Sequence, residues 1–285
     1  MSDASLPTPW SDPLAPDWAP PEFDTSRPHP ARMYDYYLGG KDNFPVDREA
    51  AERMIEATRG NVLHGVRSNR AFLARSVRWL AQQGVDQFLD IGTGIPTQGN
   101  THEIAQGILP HARVVYVDND PIVLAHSRAL LAGSSAGRTT AVLADLREPE
   151  SFLDHPQVRA TLDFERPMAV VAVGMLMFLT DEERPQALMR TVMDATAAGS
   201  HLVLTHVSQD FEPELAERGA RTYDRASATM TMRTRDRVAA FVEGLDLVEP
   251  GLVQVDEWRP DGPLPVTADL PGGRAWAYGA VARKH

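Results

Sequence analysis

Residues Phe88 to Thr97 read F-L-D-I-G-T-G-I-P-T, and this run constrains the fold more than any other. An apolar segment passes directly into Gly92-Thr93-Gly94. Without Cβ atoms the backbone can turn tightly there and approach a ligand closely. The same strand-then-helix rhythm continues along the chain. Strands are predicted over Val85 to Ile91, Arg113 to Val117, Thr139 to Leu146, Ala169 to Val173 and His201 to Val207, with two more around Leu247 to Val255 and Ala275 to Val281. Helices are predicted over Thr101 to Leu109, Pro121 to Leu131 and Asp181 to Ala198. Such alternation specifies an α/β protein with a mainly parallel sheet and helices on both faces.

The turn reads D-x-G-x-G, with Asp90 ahead of Gly92 and Gly94. A dinucleotide fingerprint needs a third glycine where Thr97 stands, and a P-loop needs G-K-[ST] where Ile95-Pro96 follow Gly94. A pyrophosphate ligand is therefore disfavoured, and a ligand carrying an ammonium group and a ribose suits the acid better. Asp118 ends the next strand in V-V-Y-V-D-N-D, where a carboxylate can accept both ribose hydroxyls. It can equally cap the helix that starts at Pro121. Asp145 in A-D-L can accept an exocyclic amine while Leu146 packs on the ring, although turn formation is a rival role.

In this order and spacing, D-I-G-T-G, V-D and A-D-L resemble the class I, Rossmann-like methyltransferases that use S-adenosylmethionine. Upstream, Y-D-Y-Y-L-G-G-K-D-N-F-P-V-D and V-R-S-N-R-A-F-L resemble the bacterial, actinobacterial-type S-adenosyl methyltransferase family once catalogued as a domain of unknown function. The resemblance runs from about Arg32 to the C-terminus. It implies a seven-stranded sheet whose last strand is antiparallel, and methyl transfer that leaves S-adenosylhomocysteine, without a metal. It further implies that Asp90, Gly92, Thr93 and Gly94 hold the amino-acid part, Asp118 and Asn119 the ribose, and Asp145 and Leu146 the adenine. Gly174 and Met175 would lie near the methyl. Met177 occupies a position where the family pattern leads one to expect histidine. Arg67 and Arg70, at i and i+3 of a helix over Val62 to Gln83, are candidates for the methionyl carboxylate.

The rest of the sequence adds organisation. Residues 1–31 read as a disordered, proline-rich tail, 32–84 as a helical cap or lid, and 85–285 as the core that binds the cofactor. Asp47 is the expected cap of a short helix. Tyr36, Tyr37, Lys41, Asp42 and Asn43, around a Gly39-Gly40 hinge, are lid candidates. Ser208 to Arg237 is the candidate insertion near an acceptor pocket. His206, His64 and Tyr37 are candidate catalytic groups for O- or N-methylation of a small molecule. Lys and Arg number 28 against 39 Asp and Glu, a net charge of −11, which speaks against nucleic acid as partner. The absence of cysteine removes thiolate and zinc-thiolate chemistry. No segment reads as a signal or a membrane span, so a cytoplasmic location is expected. Three alternatives stand beside methyl transfer: a non-catalytic sensor or scaffold that binds the same cofactor, an NAD(P)-dependent reductase, and aminopropyl transfer.

Overall fold

The computed structural model describes residues 25–96, 99–131, 138–223, 228–262 and 274–285. Most of the predicted tail, residues 1–24, lies outside the described residues. The predicted alternation is observed in β1 (Gln87–Ile91), β2 (Arg113–Asp118), β3 (Arg138–Leu143), β4 (Ala169–Ala172) and β5 (His201–Val207), which pair in parallel in the order β3-β2-β1-β4-β5. The sheet closes antiparallel with β6 (Asp246–Leu247), β7 (Val253–Gln254) and β8 (Ala277–Arg283). β8 lies between β5 and β6, and β7 also pairs with β8. The single strand expected around Leu247 to Val255 is therefore two short pieces. Pro250, which lacks an N–H, and Gly251, at φ +93°, break the run between them.

Three helices precede β1: α1 (Pro30–Tyr37), α2 (Pro45–Ala57) and α3 (Asn61–Gln82). The first was not anticipated, yet Pro30 occupies the first turn, where its missing N–H costs nothing. Asp47 sits at the third position of α2 rather than at its cap. Its buried carboxylate accepts the backbone N–H groups of Phe44 at 2.8 Å and His29 at 2.9 Å, and pairs with Arg32 at 2.9 Å, so it ties α1 to α2. Helix α3 lays Phe72, Leu73, Val77 and Leu80 on one face of the sheet, against Phe88, Val114, Val171 and Val203. Val66, Leu73, Val77 and Leu80 recur at the helical spacing that predicts this helix from sequence.

The crossovers are α4 (Thr101–Ile108), α5 (Pro121–Leu131), the pair α6 (Pro149–Leu153) and α7 (Pro156–Thr161), and α8 (Pro185–Asp194). The helix expected from Asp181 starts only at Pro185, because a proline disfavours helical backbone in the residue before it. Arg184 is at φ +51°. After β5 come α9 (Pro213–Thr222) and α10 (Arg235–Ala239). Chain direction across the sheet reverses between β1 and β4, and in open α/β sheets the crevice at such a point, beyond the strand C-termini, is where ligands bind. Among the described residues, no helix is long and apolar enough to cross a membrane.

Candidate functional site

A cavity of about 310 Å³ opens at that crevice, between the strand ends and the N-terminal helices. Its floor is the glycine turn. Gly92 and Gly94 are at φ +69° and +67°, a left-handed backbone that side chains resist. A Cβ on Gly92 would lie 2.5 Å from Cβ of Met175, so the turn is pressed against the β4 end and only glycine fits. Gly94 faces open space, and its N–H donates to Oδ2 of Asp118 at 2.9 Å.

Three carboxylates stand at three successive strand ends. Asp90 is buried and accepts Thr101 Oγ1 at 2.6 Å. Burial lifts its carboxyl to about 7 despite that bond. Asp118 accepts the N–H groups of Gly94 and Asp120, both at 2.9 Å, and burial still lifts it to about 6. Asp145 behaves in the opposite way. Burial would raise it, but the Arg147 backbone N–H, the Asn119 amide at 2.9 Å and the Arg147 guanidinium together hold it below the usual range. Two raised carboxyls with no cation as their main partner form a site that favours a bound positive charge.

Of the residues singled out from sequence, Asp90, Gly92, Thr93, Gly94, Asp118, Asn119, Asp145, Leu146, Gly174, Met175 and Arg70 all lie on this one wall, together with Tyr37. The others do not. On α3, residues 62, 65, 66, 69, 70 and 73 face the cavity, which is the helical period, and this turns Arg67 to solvent and His64 elsewhere. His64 Nε2 lies 3.2 Å from Oδ2 of Asp256. Burial would raise that carboxyl, but hydrogen bonds from His64, Ser68 and the Ala275 N–H bring it to about 2.

His206 is also displaced, by strand alternation. Thr205 and Val207 face the cavity and His206 the opposite side of β5. There its Nδ1 donates to Val207 O at 2.7 Å, and its Nε2 accepts from Arg233 at 2.8 Å. Burial drives it down to about 4, so it is neutral and its lone pair is used. Neither histidine lines this cavity. Arg233 is fully buried and also binds the carbonyls of Leu176 at 3.2 Å and Leu179 at 2.8 Å and Asp181 at 2.9 Å. It thereby fixes the 3₁₀ turn Leu176–Phe178, which carries Met177 onto the wall.

The lid candidates divide in the same way. Tyr37 and Tyr34 face the cavity from α1, while Tyr36 turns towards α2 and donates to Glu52. Lys41, Asp42 and Asn43 are absent from the described wall. Of the two glycines beside them, Gly39 is at φ +81° with open space around it, and Gly40 serves close packing. Asp35 accepts the Asp42 N–H at 2.9 Å and the Asn43 amide at 2.8 Å, and a Cβ on Gly40 would fall 1.9 Å from its Oδ1.

A hydrogen-bonded chain across the cavity escaped the sequence reading. Gly174 N–H donates to Thr205 Oγ1 at 2.8 Å, and Thr205 donates to Asn69 Oδ1 at 2.6 Å. Asn69 Nδ2 donates to the Tyr34 hydroxyl at 3.0 Å, which in turn donates to Val66 O at 3.3 Å. It holds the β4 end against α1 and α3. Asn69 lies between Val66 and Leu73 on the apolar face of α3, and a polar residue on that face was the available signal.

A family model described as S-adenosyl methyltransferase matches residues 16–285. The fold is similar to that of a DUF574 family protein from Streptomyces avermitilis, with 44% identity and a TM-score of 0.88 over 93% of this chain and 100% of that one. It is also similar to a putative methyltransferase from Thermobifida fusca, with 40% identity and a TM-score of 0.85 over 94% and 99% of the two chains. Magnesium protoporphyrin IX methyltransferase from Synechocystis, with S-adenosylhomocysteine bound, shares the fold at 10% identity and a TM-score of 0.52 over 89% and 93% of the two chains. No protein of curated function matches the sequence.

Proposed function

The chain belongs to the S-adenosyl methyltransferase family, and from that premise we propose that it methylates a small-molecule acceptor on oxygen or nitrogen. It is an S-adenosylmethionine-dependent methyltransferase. The observation that carries the finer reading is the cavity that joins the glycine turn to the cap helices, with the three carboxylates at one end.

The residues present fit the cofactor. The left-handed Gly92 and Gly94 leave room for backbone approach, and the raised Asp90 and Asp118 await a cation and hydroxyls. In this reading Asp118 and Asn119 accept and orient the ribose, and Leu146 packs on the adenine beside Asp145. Asp90 faces the ammonium group and Arg70 the methionyl carboxylate. When bound, the cofactor supplies a methyl on a sulfonium, open to in-line displacement by an acceptor lone pair. Gly174 and Met175, fixed by the Thr205 and Asn69 bonds, shape the wall where that transfer takes place. With His64 and His206 engaged elsewhere, the protein's contribution is position and exclusion of water rather than a histidine base.

A thermal-shift titration with S-adenosylmethionine, S-adenosylhomocysteine, NAD and ATP tests the reading. A ligand at about 100 times its Kd adds about 2.7 kcal/mol of stability. The two sulfur ligands should shift the transition and NAD and ATP should not. A shift with NAD alone would establish the reductase alternative. Sulfur-ligand binding with no turnover against any small molecule in an acceptor screen would favour the sensor.

A further inference from the structure

The cavity wall is chemically divided. Its charged side chains, Arg70, Asp90, Asp118, Asp145 and Arg147, lie on α3 and at the ends of β1, β2 and β3. Among the described residues, α1, α2, the end of α9 and segment 228–232 bring none. What they bring instead is Tyr37, Met54, Tyr223, Met230 and Met232, and Phe178 joins them from the β4 side. Phe178 and Tyr223 pack with ring centroids 5.5 Å apart. Methionine sulfurs and tilted rings form an adaptable surface that favours flat, apolar ligands. A carboxylate or ammonium moved into this half would lose its hydration without finding an opposite charge among the described residues.

The Tyr37 and Tyr223 hydroxyls are buried beside each other, and burial lifts both phenols so that neither brings a charge to this half.

Building on the methyl-transfer reading, we propose that the acceptor is an uncharged, predominantly apolar ring compound, held against the rings and thioethers of Met54, Phe178, Tyr223, Met230 and Met232. The acceptor lies under α1, α2 and α9, and the cofactor lies over the glycine turn. Specificity arises from this wall, which carries no charge among the described residues and so rejects ionised analogues of the same shape.

The test uses the full chain saturated with S-adenosylhomocysteine and calorimetric titration with two probes of like shape, 2-naphthol and 2-naphthoate. The neutral probe should bind, and the anion should bind at least about tenfold more weakly, the penalty of an unpaired buried charge. Met230→Trp, which fills the same half, should abolish 2-naphthol binding and leave S-adenosylhomocysteine affinity within about twofold. Equal or tighter binding of the anion, a Met230→Trp variant that still binds 2-naphthol as the wild type does, or no 2-naphthol binding to a protein that does bind S-adenosylhomocysteine would overturn the acceptor proposal alone. Failure to bind S-adenosylhomocysteine would overturn the methyl-transfer reading, and the acceptor proposal with it.

Discussion

Replacing Asp90 with asparagine separates what the site costs from what it is used for. Asp90 is 7% exposed, and burial raises its carboxyl from 3.8 to about 7. A carboxyl whose folded pKa lies above its unfolded one binds more protons in the native state between the two values. Its contribution to stability is therefore intact below about pH 4 and is lost as pH rises through about 7. The gap is about three pH units, and at about 1.36 kcal/mol per unit the loss reaches about 4 kcal/mol by pH 8. Asp90→Asn has no such titration. Whatever the amide does to the Thr101 hydrogen bond applies equally at every pH. Urea denaturation of both proteins from pH 4.5 to 8 should show the variant gaining about 3–4 kcal/mol on the wild type across that range. Titrating groups that do not interact with Asp90 cancel in the comparison, and the neighbouring Asp118 carboxylate adds to the wild-type fall. Saturating S-adenosylhomocysteine should flatten the wild-type fall, because an ammonium beside Asp90 favours the ionised form. Parallel profiles for the two unliganded proteins would refute the claim that Asp90 is held against its ionisation to receive a cation.

Three further outcomes follow from the same geometry. Gly92→Ala should destabilise the fold by about 2–5 kcal/mol in urea, since a left-handed φ costs about 1–2 and the contact with Met175 about 1–3; an unchanged midpoint would contradict it. Arg70→Ala should weaken S-adenosylhomocysteine about tenfold by calorimetry, while Arg67→Ala, on the solvent side of α3, should leave it within about twofold. Binding of S-adenosylhomocysteine near pH 6.5 should release protons, because carboxyls at about 7 and about 6 ionise to meet the ligand. Titrations in phosphate and Tris buffers measure this, and proton uptake would contradict it.

The sequence was most legible where one backbone rule governs many residues. Strand and helix alternation, the D-x-G-x-G spacing and the acids at the ends of β2 and β3 are local patterns, and the structure gathers them on one wall. Illegible features depend on the direction a side chain takes once an element is packed. His206 lies one residue from two cavity-facing positions, and strand alternation turns it towards Arg233. Arg67 and Arg70 share a helix, but only one of them faces the cavity. The aromatic stretch before Gly39-Gly40 suggests a lid by its composition, and its helical period is short enough to pass unseen. Tyr34 and Tyr37 recur at helical spacing, and Pro30 marks the start of α1. Gly40 looked like a hinge because its reason for being glycine is the Asp35 carboxylate, five residues back along the chain. The cap half of the cavity was illegible because α1, α2, α9 and segment 228–232 meet there from distant parts of the chain.

On the proposed reading, the glycine turn and the Asp118 carboxylate hold the cofactor of methyl transfer. The decisive experiment is isothermal titration of the wild type and Asp118→Ala with S-adenosylhomocysteine at pH 7.5. One equivalent should bind to the wild type, and the variant should bind at least about tenfold more weakly while keeping its fold by circular dichroism. No binding to the wild type, or equal binding by the two proteins, would contradict it.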